Sequence, residues 1–153
     1  MELKVLLWNV QDLFIFMDKY QGEDLSLISE PKWQLLTTSL KNNKELNKVK
    51  GLAECINRQS PDLLFLTEVG GKESLDNFNT YFLDDEYLIY HHASNSDRGI
   101  DVGILYKKNL KLISQFKFHK HKVFAFGHFQ IPRLYVCRYG LTVSIIPNFL
   151  LVR

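Results

Sequence analysis

Leu3 to Val10 is a short, nearly unbroken apolar run, the pattern of a strand buried on both faces. The stretch from Gln11 to Glu30 is mixed and irregular, holds Gly22 and the acidic pair Glu23–Asp24, and reads as a loop with some local helix. Pro31 can open a helix at its first turn, and Trp33, Leu36 and Leu40 follow at helical spacing. A stronger helix comes next: Asn43 is its expected N-cap, and Leu46, Val49, Leu52, Cys55 and Ile56 recur at three- and four-residue steps. Gly51 inside that helix costs about 1 kcal/mol relative to Ala, and is expected to mark close packing. Ser60-Pro61-Asp62 stops the helix, because the residue before proline disfavours helical angles.

Leu63 to Leu66 is a second all-apolar run, so helix, breaker and buried strand make an α/β unit. Gly70-Gly71 reads as a turn, and Glu73 to Phe82 as a helix through Leu75, Phe78 and Phe82. Further strands are expected at Leu88–His92, Val102–Tyr106, Leu110–Phe118 and Leu134–Ile146, with the polar loop Ser94 to Gly99 between the first two. The order is not a strict βαβ alternation. It predicts one α/β domain over residues 1–153, a mixed β-sheet with helices on its outer face.

Composition adds little. Hydrophobic residues at 46% and aromatic residues at 13% suit a folded globular domain. Nineteen Lys and Arg against 17 Asp and Glu leave a formal charge of +2, too even to announce a nucleic-acid binder. A locally basic cleft for a phosphate substrate remains compatible with that balance. Cys55 and Cys137, with no CxxC, read as reduced, buried thiols. The N-terminal apolar run is too short for a signal peptide, and no stretch reaches the roughly 20 apolar residues of a membrane helix. The expected location is cytoplasmic.

Three segments carry candidate chemistry. In Leu7-Trp8-Asn9-Val10-Gln11 a polar Asn ends a buried strand, where it either caps the next turn or has a task. In Asp62-Leu63-Leu64-Phe65-Leu66-Thr67-Glu68 an apolar run carries a carboxylate to the end of a strand, where α/β folds place their sites. Such a Glu either opens a surface turn or takes a hard cation such as Mg²⁺. In Asp97-Arg98-Gly99-Ile100-Asp101 an Arg and an Asp at a strand entrance either form a loop salt bridge or clasp a phosphate.

Together KVLLWNVQDL, SPDLLFLTEV and SDRGIDVGILYKK resemble the endonuclease/exonuclease/phosphatase superfamily of metal-dependent phosphodiester hydrolases, in order and spacing, from Leu3 to about Lys108. The resemblance implies half of a four-layer sandwich and phosphoester hydrolysis with Mg²⁺, or Mn²⁺ in its place. Glu68 would be the metal ligand. Asn9 would orient the scissile phosphate or help hold the metal, and Arg98 and Asp101 would line the substrate side. The chain departs from the pattern in two places. Thr67 stands where Gln is commoner, and Gln11 where some relatives place a second carboxylate.

The resemblance also places a Gly-Asp-x-Asn element and an Asp-His pair in a second half, and neither is present; the last Asp is Asp101. The expectation is therefore an N-terminal half cut short, ending Pro147-Asn148-Phe149-Leu150-Leu151-Val152-Arg153. A lone half would expose a sheet face, with self-association through it. His91 and His92 alternate in a strand, so at most one could point at a cleft, and His119, His121 and His128 read as surface or packing residues. Lys117, Lys120 and Lys122, interleaved with Phe116, Phe118 and Phe124, read as the solvent face of a strand. The expected substrate is a phosphoester, nucleic acid among the candidates, and the alternative function is a non-catalytic α/β binding module.

Overall fold

A computed structural model describes residues 3–92 and 99–110, and the backbone strands 112–123 and 136–147. The chain divides into two compact units, Met1–Leu110 and Lys111–Arg153. In the first, β1 (Val5–Leu13), α1 (Glu30–Gln34), α2 (Leu46–Gln59), β2 (Leu63–Val69), α3 (Lys72–Phe82), β3 (Tyr87–His92) and β4 (Asp101–Lys107) follow in chain order. The sheet order is β1-β2-β4-β3. β1 and β2 are parallel, and β2–β4 and β3–β4 are antiparallel. The mixed α/β sheet expected from the sequence is what forms. In the second unit β5 (Leu112–Val123) and β6 (Val136–Pro147) pair antiparallel.

Alternation along the strands decides which face meets the helices. Leu6, Trp8 and Val10 of β1, Leu64 and Leu66 of β2, Ile89 of β3 and Leu105 of β4 join one core with Val49, Ala53 and Ile56 of α2 and Leu75 and Phe78 of α3. Gly103 lets α3 come close: a methyl group there would sit 2.4 Å from Leu75 Cδ1. The alternate positions turn the other way, and Val5, Leu7 and Leu88 are 53%, 73% and 43% exposed. Both apolar faces explain why β1 and β2 read as continuous hydrophobic runs.

Local corrections have physical causes. α1 is only five residues; Trp33 is buried, but Leu40 is fully exposed and belongs to no helix. Asn43 does not cap α2, whose N-cap is Glu45. Instead Asn43 brackets the backbone of Phe16, accepting from its N–H at 2.7 Å and donating to its carbonyl at 3.0 Å. A buried amide that satisfies an isolated loop peptide outcompetes a helix end open to solvent. Gly51 marks no close packing, since nothing lies within 4 Å of where its Cβ would be. Ser60 ends α2 in the left-handed conformation, φ 45°. The side chains of the Phe116–Lys122 strand, His119 and His121, and all of His128, lie outside the described residues. Cys55 is a free, half-buried thiol.

Candidate active site

β1 and β2 run in register from Val5↔Leu63 to Asn9↔Thr67, and the next pair is Leu13↔Val69. Val10, Gln11 and Asp12 therefore stand opposite a single residue, Glu68. On its other side β2 pairs Thr67↔Val102 and Val69↔Asp101, so there Glu68 is the extra residue. β1 thus bulges against β2 and β2 bulges against β4, in the interior of the sheet. Its backbone is left-handed, φ 63°, as are those of Gln11 and Asp12 at 50° and 55°. Three non-glycine residues in that region store roughly 1–2 kcal/mol each, and such strain persists only where surrounding contacts over-determine it.

Those contacts are visible. The Asn9 amide Nδ2 donates to Glu68 Oε1 at 2.9 Å, joining the two strand ends. The Gln11 N–H donates to Asn9 Oδ1 at 2.9 Å, so one side chain holds both the carboxylate and the bulge beside it. Lys44 Nζ donates to the Gln11 carbonyl at 2.8 Å, and the Lys44 N–H donates to the Phe14 carbonyl at 2.8 Å. The Gly70 N–H closes on the Leu13 carbonyl at 2.8 Å. Gly70 must be glycine: a Cβ there would lie 2.3 Å from Phe14 Cδ1 and 2.9 Å from the Leu13 oxygen. Below the site, the Asp62 carboxylate accepts the Lys4 N–H at 2.9 Å and aligns the starts of β1 and β2. That gives the Pro-Asp pair of the sequence a structural task.

Burial holds the Lys44 amine below the usual lysine range; Lys48 adds repulsion, and the carboxylates of Asp12, Glu45 and Glu68 oppose the shift. Lys44 thus sits half-buried with its amine on the Gln11 carbonyl, two residues along β1 from Asn9. The donors gathered here are oxygens: the Glu68 carboxylate and the Asn9 and Gln11 carbonyls. That chemistry fits a hard divalent cation that keeps waters and substrate oxygens as its remaining ligands. Among the described residues no three His, Cys, Asp or Glu side chains cluster as a metal cage.

Asp101 opens β4 beside Val69, but its carboxylate is engaged on the helix-covered side. Its Oδ2 lies 2.8 Å from His91 Nε2, and both side chains are only 12% exposed. His91 sits across from Gly103, which makes Asp101 its diagonal neighbour on one face. A β-carbon on Gly71, just before α3, would stand 3.9 Å from the same oxygen. Arg98 lies outside the described residues. The sequence thus brings Asn9 and Glu68 together, and sets Asp101 one strand over with a histidine partner that spacing alone did not assign.

The Endonuclease/Exonuclease/phosphatase family model matches residues 4–130. The chain belongs to that family. Members of that superfamily generally depend on a divalent metal. No curated protein matches it. Among solved structures it is similar to the crystal structure of truncated Caenorhabditis elegans TDP2, with 27% identity and a TM-score of 0.37 over 63% of this chain and 33% of that one. The chain thus spans about a third of that structure's chain. Among the described residues no helix is long and apolar enough to cross a membrane.

Sequence reasoning missed the lysines that line the concavities beside Gln11. Lys41, Lys44 and Lys48 were present as a signal in KNNKELNKVK, three lysines at three- and four-residue steps leading into α2. Their significance depends on the loop folding back onto Gln11, which a linear pattern does not reveal.

Proposed function

We propose that this chain carries the metal-holding part of an Mg²⁺-dependent phosphodiester hydrolase, with Glu68 as the metal ligand and Asn9 as the residue that aims it. The observation that supports this most is the 2.9 Å contact between Asn9 Nδ2 and Glu68 Oε1 across two left-handed bulges. A strained carboxylate at the end of parallel strands, fixed by an amide and accompanied by a half-buried lysine, is arranged for a charged ligand. Mg²⁺, or Mn²⁺ in its place, would supply charge stabilisation on the phosphoryl oxygens. Asn9 keeps Glu68 in one rotamer, and Lys44 keeps the Gln11–Asp12 bulge closed behind it.

In this reading Arg98 and Asp101 belong to the substrate side, with the His91 pairing holding the Asp101 carboxylate in place. The exposed Val5, Leu7 and Leu88 face is where a second copy packs.

The test is Mn²⁺ binding followed by paramagnetic resonance, with hydrolysis of a generic phosphodiester and plasmid DNA in Mg²⁺ or Mn²⁺. Glu68→Ala is expected to abolish metal binding and any metal-dependent turnover. Asn9→Ala is expected to weaken metal binding about 10- to 100-fold, the usual effect of removing a group that orients a ligand. Undiminished Mn²⁺ binding in Glu68→Ala refutes the assignment and favours a non-catalytic α/β binding module.

A further inference from the structure

β3 is the outermost strand of the sheet, so one of its edges has no neighbour among the described strands. Pairing shows which groups lie on that edge. The Lys108 N–H donates to the Glu86 carbonyl at 3.0 Å, so Glu86 turns toward β4. Tyr87 turns away, because its N–H donates to Asn79 Oδ1 at 3.2 Å and its carbonyl accepts from Asn79 Nδ2 at 2.8 Å. In an antiparallel ladder this direction alternates from residue to residue. Leu88 and Tyr90 therefore bond to β4, across from Tyr106 and Ile104, and Ile89 and His91 present their N–H and C=O outward.

Asn79 stands in for a strand partner at Tyr87 alone. Its amide is buried and makes the two bonds that a neighbouring strand would make there. Beyond it, among the described residues, nothing bonds the outward main-chain groups of Ile89 and His91. The strand reads Tyr-Leu-Ile-Tyr-His-His and carries none of the Lys, Glu or Pro residues that ordinarily keep an exposed edge from pairing. A groove of about 320 Å³ runs beside the edge, with Lys72, Asp76 and Thr80 of α3 on one side and Leu88 and Ile89 on the other. An edge strand facing a helix across a groove suits an added extended strand, which main-chain bonds hold while alternate side chains enter the groove. The charges lining it are already matched, Lys72 with Asp76 at 2.6 Å and Lys108 with Asp85, so the groove suits neutral polar side chains. On the opposite face of the strand Leu88 is exposed and suits an apolar one.

We infer that the Ile89–His91 edge of β3 takes up an extended segment of a partner protein as an added strand. The segment is uncharged, with polar side chains over α3 alternating with apolar ones beside Leu88, and its backbone bonds to both Ile89 and His91. This interaction surface goes beyond the hydrolase reading and does not rest on it.

The probe is a short, end-blocked, dye-labelled peptide of alternating threonine and valine, titrated against the full chain and followed by fluorescence anisotropy. Saturable binding is expected. His91→Pro removes one outward N–H and no bond to β4, whereas His91→Ala removes the imidazole and keeps that N–H. His91→Pro is expected to bind about fivefold more weakly than His91→Ala, the usual worth of one such bond. Thr80→Arg, at an exposed helix position, fills the groove without altering β3 and is expected to weaken binding too, so a proline variant that fails to fold leaves the inference testable. Hydrogen exchange reads the edge directly. The Ile89 and His91 amides are expected to exchange quickly in the free protein and slowly with peptide, while those of Leu88 and Tyr90 are slow in both. Absence of saturable binding overturns the inference, as does binding undiminished in Thr80→Arg or equal in His91→Pro and His91→Ala. So does a wild-type dimer that His91→Pro splits, which gives the edge to a second copy.

Discussion

The left-handed backbone at Glu68 gives a stability test whose sign is unusual. Replacing a strand residue by Gly normally costs about 0.5–1 kcal/mol relative to Ala, because Gly loses more freedom on folding. At φ 63° the balance changes, since Ala there carries the left-handed penalty of roughly 1–2 kcal/mol and Gly carries none. Glu68→Ala and Glu68→Gly lose the same carboxylate and the same hydrogen bond from Asn9, so those terms cancel between them. The difference left is the backbone, and Glu68→Gly is expected to be the more stable by about 0.5–1 kcal/mol. Thr67, one residue earlier and regularly paired on both sides, is the control. There Thr67→Gly is expected to fall below Thr67→Ala by about 0.5–1 kcal/mol.

Urea unfolding followed by the fluorescence of Trp8 and Trp33 measures all four variants, and thermal midpoints should separate by about 2–4 °C per kcal/mol for a chain of this size. The reasoning fails if Glu68→Gly is less stable than Glu68→Ala by the margin seen at Thr67. The bulge would then not be left-handed in solution, and the geometry that aims the carboxylate would be gone with it. Neither Glu68 variant is expected to bind Mn²⁺, so the same pair of proteins shows stability and metal binding moving apart.

Gly51→Ala is expected to raise stability by about 1 kcal/mol, because the position is helical and open, whereas Gly70→Ala is expected to lower it by about 1–3 kcal/mol through the Phe14 and Leu13 clash; urea midpoints report both. Burial pushes the Tyr87 phenol up to about 12, and its O–H donates to the Pro61 carbonyl at 3.1 Å. A raised folded value means the folded state keeps its proton longer, so this contribution is intact below about pH 10 and is lost as pH rises toward 12; ultraviolet titration of wild type against Tyr87→Phe, with stability at each pH, checks it. Self-association through the Val5, Leu7 and Leu88 face is expected to be reduced by Leu7→Lys with Leu88→Lys at little cost in monomer stability, and a monodisperse wild-type monomer by light scattering would count against it.

The elements were legible where burial and periodicity agree. Leu63–Leu66 and Val102–Tyr106 are apolar in consecutive positions because both faces of those strands are covered or nearly so, and the sequence showed them one to three residues short of their true ends. What periodicity lost was the last part of each strand. Gln11 and Asp12 are polar and left-handed, so a pattern reading stops β1 at Val10 although pairing resumes at Leu13. Asn43 reads as a cap by residue type, yet its amide is used on a loop peptide 27 positions earlier. A local rule has no access to a partner at that distance.

The same limit explains the site. Asn9 and Glu68 were each ambiguous as isolated strand-end polar residues, because an amide or a carboxylate at a turn has an ordinary explanation. Parallel pairing with Asn9 opposite Thr67 puts the amide one residue from the carboxylate, and the double bulge then turns Glu68 toward it. Register, and not residue type, brings two common strand ends together as a candidate site. Lys44 follows the same logic in reverse. In sequence it is one lysine of a basic stretch, and only the folding of its loop onto Gln11 makes it a half-buried charge held on the β1 bulge. Mutations that shift the β1–β2 register should therefore damage metal binding as severely as loss of Glu68 itself, while leaving every side chain of the site in the sequence.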